Sequence, residues 1–253
     1  MDPTATPPDF AATRLLFRDD AYRTEAEGRV IGLHGTMLVL DQTLFYASSG
    51  GQPSDAGTIT RQDGVSFPIG ELKYLDAAKT IVGHALPEGE DPAGWQGAAV
   101  TMHLDFTRRL KLMRMHSALH LLSVALPYAV TGGSVGVDDG RLDFDIPDAG
   151  LDKDEIAARV NAMIATHAAI TDRWITDAEL DANPGLVKTM KVQPPRGAGR
   201  VRLVEIAEPG KPPIDLQPCG GTHVRNTREI GPIAVTNIEK KGKQNRRVRI
   251  AFA

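Results

Sequence analysis

The chain has 253 residues, of which 42% are hydrophobic and 24% charged, with 29 Lys and Arg against 32 Asp and Glu and a single cysteine. This is the balance of a water-soluble globular protein, and one cysteine excludes an intrachain disulfide. No run of about 18 apolar residues marks a membrane span, and a reducing cytoplasm is the expected location.

The first residues, MDPTATPPDF, are Pro-rich and acidic and lack the basic-then-apolar order of a secretory signal. Residues 1–13 read as a flexible arm. From Arg14 to Leu104, short apolar runs (RVIGL, TMLVL, TLFYAS, TIVGHAL, AAVTMHL) alternate with Gly, Pro and Asp. That spacing predicts a small β-barrel or sandwich, residues 14–104. Inside it, SSGGQPSDAG at 48–57 is a glycine-rich loop where backbone can approach a ligand closely. Taken alone it is also an ordinary hairpin turn. Gly50-Gly51-Gln52 matches the tripeptide with which peptide release factors act, but nothing around it supports that protein type.

A second domain, 105–253, is expected to begin with a helix capped by Asp105 or Thr107. Leu112, Met115, Leu119, Leu122 and Leu126 form its apolar stripe, and Pro127 ends it. TGGSVGVDDG, 131–140, reads as turn-rich, and RLDFDI as a strand. Asp152 and Glu155 open a helix that buries Ile156, Val160, Met163 and Ile164. DRWIT is a strand, 177–187 a short helix interrupted at Pro184, and VRLVEI, IDLQP, IAVTNIEKKG and RRVRIAFA are further strands. The whole reads as α+β: a small N-terminal barrel, then a mixed domain.

Two pairs of side chains carry chemistry. His116 and His120 sit four residues apart on the helix and so share one face. Cys219 and His223 repeat that step in PCGGTH, where two glycines let the chain fold back. Converging, the four make a Cys1His3 set suited to one zinc ion. A zinc finger needs more cysteines. A His-Glu-x-x-His protease needs a glutamate where Ser117 stands.

Four motifs in fixed order then resemble one known family: MRMHSALHLL, QPCGGTHVRNTREIGPI, IEKKGKQNRRVRI and SSGGQPSDAG. They are similar to the editing region of alanyl-tRNA synthetases and to its free-standing relatives, the AlaX-type alanyl-tRNA editing proteins. The likeness spans residues 15–252 and is to the medium-length kind. It implies hydrolysis of the ester in alanine tRNA mischarged with serine or glycine, on a small β-barrel followed by an α+β editing domain. It also implies His116, His120, Cys219 and His223 as zinc ligands, one zinc per chain, and Gln52 facing the editing pocket. Ser49 departs from the family, which usually has a third glycine there.

For such a reaction, backbone N–H groups of Gly51, Gly220 or Gly221 are candidate oxyanion donors beside Gln52. Thr131, Ser134 and Gln52 are candidates to recognise the serine hydroxyl, with Thr222 also placed at the substrate. Residues 188–253 hold 14 Lys and Arg against 5 Asp and Glu. That makes either a polyanion-binding face or a solvated surface. Lys240, Lys241, Lys243, Arg246, Arg247 and Arg249 are the expected tRNA phosphate contacts, or in part hairpin salt bridges. No obligate protein partner is evident. Two other classes stay open: a non-catalytic structural-zinc RNA-binding module, and a zinc hydrolase of another small ester or amide.

Overall fold

The computed structural model describes residues 10–147, 150–189 and 199–253. The chain divides into two compact units, Met1–Ser48 with Pro53–Arg109, and Ser49–Gln52 with Leu110–Ala253. No described helix is long and apolar enough to cross a membrane.

The first unit opens with a two-residue strand β1 (Arg14–Leu15) and a single helical turn α1 (Leu16–Asp19). Then come β2 (Glu25–His34), β3 (Met37–Leu40), β4 (Gln42–Thr43), β5 (Gly57–Arg61) and β6 (Ser66–Pro68). β7 (Leu72–Tyr74), β8 (Val82–Ala85) and β9 (Ala99–Leu104) complete it. Seven strands form one antiparallel sheet in the order β6-β5-β9-β2-β3-β8-β7. The expected barrel is corrected here: β6 and β7 are edges, and among the described residues no ladder joins them. Both are three residues long, and β6 ends on Pro68, which has no N–H to donate. The backbone of Ile69–Glu71 between them bonds Gly57 and Ala85 instead.

Burial explains these strands. β3 is buried at every residue, and β9 alternates, with Val100, Met102 and Leu104 inward. Leu38, Leu40, Val100, Met102 and Leu104 join Phe45, Tyr46 and Trp95 in one apolar cluster. Thr13, within the stretch read as an arm, is buried, and its hydroxyl donates to Leu40 O at 3.0 Å. The expectation for residues 1–9 lies outside the described residues.

Arg109 and His84 are among the polar side chains sealed in this unit. Arg109 is fully buried: Nε donates to Asp55 Oδ1 at 2.8 Å, Nη2 to Leu44 O at 2.8 Å and Nη1 to Ala21 O at 2.9 Å, and Nη2 also contacts Asp55 Oδ2. Asp55 in turn accepts the Tyr46 N–H at 2.6 Å. His84 is equally buried, with Nε2 2.8 Å from Thr43 Oγ1 and Nδ1 3.2 Å from Leu38 O. Burial holds its pKa at about 4, against an ordinary 6.5.

The second unit contains α2 (Phe106–Ala125) from Leu110 onward, then β10 (Val130–Val135), β11 (Asp139–Asp145) and α3 (Lys153–Ile164). β12 (Ala169–Thr176), α4 (Asp177–Asp181), β13 (Arg200–Ala207), β14 (Asp215–Pro218), β15 (Ile233–Lys240) and β16 (Asn245–Phe252) follow. They build two antiparallel sheets, β10-β11-β16-β15 and β12-β13-β14. Helix α2 is capped by Asp105, whose Oδ1 accepts the Arg108 N–H at 3.0 Å. It is buried on every side from Met115 to Ser123, so the apolar stripe is part of a fully enclosed helix. Met115 and Leu119 lie over Gly140 of β11. On α3, Asp152 caps and Ile156, Val160 and Ile164 are buried, but Met163 is half-buried.

One reading is corrected by packing. Thr131 to Ser134 are strand residues of β10, not turn; the turn covers Gly136–Asp138. A Cβ on Gly133 would meet Leu142 Cδ2 at 2.8 Å, so close packing rather than a turn requires glycine there.

Two stability predictions follow from the first unit. A buried base with a lowered folded pKa contributes stability above its unfolded pKa, and that stability drains away as pH falls from about 6.5 to about 4. The loss should approach ~3 kcal/mol at 1.36 kcal/mol per pKa unit; urea unfolding at about pH 4.5 and 7.5 should show it, and His84→Gln should shrink it. Asp55→Ala strands the Arg109 guanidinium and should cost about 3–5 kcal/mol in the same assay at neutral pH.

Candidate metal centre

Ser49 and Gln52 form a closed two-residue hairpin, with Ser49 N–H to Gln52 O at 3.1 Å and Gln52 N–H to Ser49 O at 3.0 Å. Gly50 (φ 59°) and Gly51 (φ 85°) take the positive φ values that such a turn demands. Ser49 is not among the positive-φ residues, so a serine there is tolerated without strain. Gly51 O accepts the Val135 N–H at 2.8 Å, which docks the hairpin on β10. The turn thereby delivers Gln52, 1% exposed, into the interior of the second unit.

There, the helix pair and the loop pair meet. One donor atom from each of His116, His120, Cys219 and His223 lies within 4.8 Å of all the others. Cys219 Sγ is 3.3 Å from His223 Nε2 and 3.5 Å from His116 Nε2. Donors of a tetrahedral zinc site, with bonds of about 2.0–2.3 Å, stand ~3.5 Å apart. Gly221 must be glycine, since a Cβ would lie 2.2 Å from His116 Cε1 and 2.7 Å from Gln52 Oε1.

The second layer decides which ring nitrogens face inward. His116 Nδ1 lies 2.8 Å from Gln52 Oε1, His120 Nδ1 2.8 Å from Asp215 Oδ2, and His223 Nδ1 3.1 Å from Ser117 Oγ. Every Nδ1 thus has a partner that can accept its proton, which leaves each Nε2 lone pair for a cation. This arrangement fits a metal ion. Asp215 is itself held by Lys188 Nζ at 2.5 Å and Gln217 Nε2 at 2.7 Å. Burial opposes its ionisation, but His120 and Lys188 outweigh burial and keep its carboxyl at about 2. Burial likewise opposes the Cys219 thiolate, yet His116 and His223 bring the thiol well below its ordinary value. Burial and the neighbouring His116 hold His223 at about 3. Thiolate and neutral imidazole are the forms that bind metal, and Cys219 and His223 favour them. For His120, burial opposes the charge but Asp215 and Cys219 outweigh it and push the imidazole up to about 9, so an ion must displace that proton.

Several expected roles change. The Gly221 N–H points at Cys219 Sγ (3.4 Å), so it serves the sulfur and not an oxyanion. Thr222 is 1% exposed; its Oγ1 accepts from Gln52 Nε2 at 2.9 Å and its N–H donates to Gln52 Oε1 at 3.1 Å, so it holds Gln52 rather than substrate. Gly51 and Gly220 are exposed. Ser134 adjoins the hairpin, its Cα 3.6 Å from a Cβ built on Gly51. The Thr131 hydroxyl donates to Asp143 O at 3.2 Å.

In the tail, Arg247 is paired with Asp143 (2.7 and 2.9 Å), Arg249 with Glu239 (2.8 Å) and Lys241 with Glu239 (2.7 Å). Arg246, expected at phosphate, is buried and donates to Gly242 O at 3.4 Å and to Asn245 O at 3.3 Å. Lys240 and Lys243 are exposed. Asp215 and Ser117 were missed, although DLQPC places Asp215, Gln217 and Cys219 on one face by strand alternation.

Residues 201–249 match the family described as the threonyl and alanyl tRNA synthetase second additional domain. The alanyl-tRNA editing protein AlaX-M of Methanosarcina mazei is 32% identical, over 93% of this chain and 95% of its own length. Its namesake in Saccharolobus solfataricus is 31% identical over 93% of this chain and 97% of its own. The alanine–tRNA ligase of Pyrobaculum neutrophilum is 34% identical over 92% of this chain but only 26% of that enzyme.

Asp215→Ala removes the acceptor that orients His120. It should weaken divalent-metal affinity by roughly 10–100-fold in a competition titration against a chromophoric chelator.

Proposed function

The chain belongs to the AlaX-type alanyl-tRNA editing proteins, and on that premise we propose that it is a trans-editing deacylase. It hydrolyses the ester that joins serine, and also glycine, to alanine tRNA, in the cytoplasm where charged tRNAs circulate. The observation that carries this reading is the convergence of His116, His120, Cys219 and His223 with all three Nδ1 atoms matched to acceptors. A set of imidazoles and one thiolate suits zinc, one ion per chain. When bound, zinc supplies Lewis acidity at the ester and eases ionisation of water.

The chain's own residues supply orientation. Gln52, Asp215 and Ser117 hold the imidazole protons at Nδ1, away from the reacting side. Gln52 is a positioning residue in this scheme, because its amide is engaged by His116 and Thr222. The exposed N–H groups of Gly51 and Gly220 are the remaining oxyanion donors, and such a donor is typically worth ~3–4 kcal/mol. Ser134, beside the Gly51 hairpin, is better placed than Thr131 to meet a serine hydroxyl, since the Thr131 hydroxyl is already spent on Asp143 O. Lys240 and Lys243 are the tail cations proposed to meet tRNA phosphates.

One observation favours a second reading. Four protein donors in one cluster can close a tetrahedron, as in a structural zinc site of an RNA-binding module. Release of serine from seryl-tRNA(Ala) separates the two. The protein should deacylate this substrate, spare correctly charged alanine tRNA, and lose activity with a chelator. His116→Ala should lose bound zinc and at least ~100-fold in rate, the scale of a lost metal-ligand contribution. Undiminished turnover by the zinc-free variant would refute metal-assisted hydrolysis.

A further inference from the structure

The three-stranded sheet carries the metal-site cysteine at one end of a cross-strand row. Trp174 of β12 pairs with Arg202 of β13, and the register of β13 with β14 continues to Cys219, whose N–H donates to Arg202 O at 3.1 Å. Directly opposed residues share a sheet face, so Trp174, Arg202 and Cys219 project from the same one. Two strand spacings, about 10 Å, separate the tryptophan from the cysteine.

Arg202 bridges the row. Its Nη1 donates to Cys219 O at 3.0 Å and Gly221 O at 2.9 Å, and its other nitrogens face Asp172 at 3.2 Å. Arg200, on the same face and diagonal to Trp174, lays its guanidinium 4.6 Å from the indole centroid. Among the described residues Arg200 has no carboxylate partner. Trp174 is 38% exposed; only it and Tyr128 are exposed large apolar side chains among the described residues.

An exposed indole with a cation across its face, beside a hydrolytic centre, has the makings of a nucleobase platform. Bases stack on aromatic side chains and on guanidinium planes, and the uncompensated Arg200 charge complements a phosphate. The ester of an aminoacyl-tRNA sits on the terminal ribose, one sugar away from the terminal base. We infer that Trp174 with Arg200 stacks the terminal adenine of the tRNA acceptor end while the ester reaches the metal centre. This assignment rests on the deacylase reading for its substrate, but its binding step is measured separately.

Two measurements test it. In seryl-tRNA(Ala) deacylation, Trp174→Ala should raise KM by about tenfold, within the range for losing one base stack, with kcat, zinc content and Tm unchanged. Trp174→Phe should recover most of the loss, which a merely structural defect would not predict. In a Trp95→Phe background, where Trp174 is the sole reporter, a short RNA ending in CCA should quench the fluorescence and the same RNA lacking the terminal A should not. If deacylation is absent but the A-dependent quench is present, the platform stands and the hydrolase reading falls. If the quench ignores the terminal A, or if deacylation proceeds with an unchanged KM in Trp174→Ala, the platform is overturned.

Discussion

Packing three imidazoles and a thiol into buried space is unfavourable unless something binds their lone pairs. Polar groups removed from water need partners, and among the described residues the Nε2 atoms of His116 and His223 meet the Cys219 sulfur, at 3.5 and 3.3 Å. The outward-facing Nδ1 atoms are, by contrast, fully provided for by Gln52, Asp215 and Ser117. With that asymmetry the cluster could hold a cation: one side of each ring is fixed by the protein, and the donor atoms on the other side lie within 4.8 Å of one another. A core arranged for stability alone would give the inner nitrogens hydrogen-bond partners as well.

The glycine-rich stretch shows how one short segment divides its labour. Gly50 and Gly51 provide the positive φ values of the hairpin, and Gln52 is what the hairpin delivers. Asp55 serves a different task, neutralising the buried Arg109. The boundary between the two units falls inside this stretch, after Gln52, and again inside α2, after Arg109. Residues 49–52 thus answer to the metal cluster, whereas Pro53 onward answers to the core of the first unit. The tripeptide looked weak in isolation because its meaning depends on His116, 64 residues away.

Distance along the chain also decides what the sequence reveals. His116 with His120, and Cys219 with His223, are legible because helical period and a folded-back glycine loop are local. Asp105 as a cap and the α3 core positions are local too. Gly132 and Gly133 mislead for the opposite reason. Glycine pairs signal turns nearby in sequence, while what requires glycine at 133 is the Leu142 side chain on the neighbouring strand. Barrel closure fails likewise: strand count is local, but whether β6 meets β7 depends on pairing that no short window contains. Asp215 lies between these cases, its face predictable and its partner not.

The same reasoning revises the meaning of the basic C-terminal third. Counting charges suggests a broad phosphate-binding strand, yet the register places Arg247 opposite Asp143 and Glu239, and Arg249 opposite Arg141 and Asn237, with Glu239 also reaching Arg249 at 2.8 Å. Asp143 lies 104 residues upstream of Arg247, so no charge count along the tail could include it. Arg247 and Arg141 lower the Asp143 carboxyl, and Lys241 and Arg249 lower that of Glu239 to about 2, so both carboxylates stay ionised at any physiological pH. A polyanion approaching this sheet meets arginines already committed to carboxylates. On the proposed reading, the cations left for an RNA are the exposed Lys240 at the end of β15, the exposed Lys243 in the turn after it, and Arg200 on the face of the exposed Trp174.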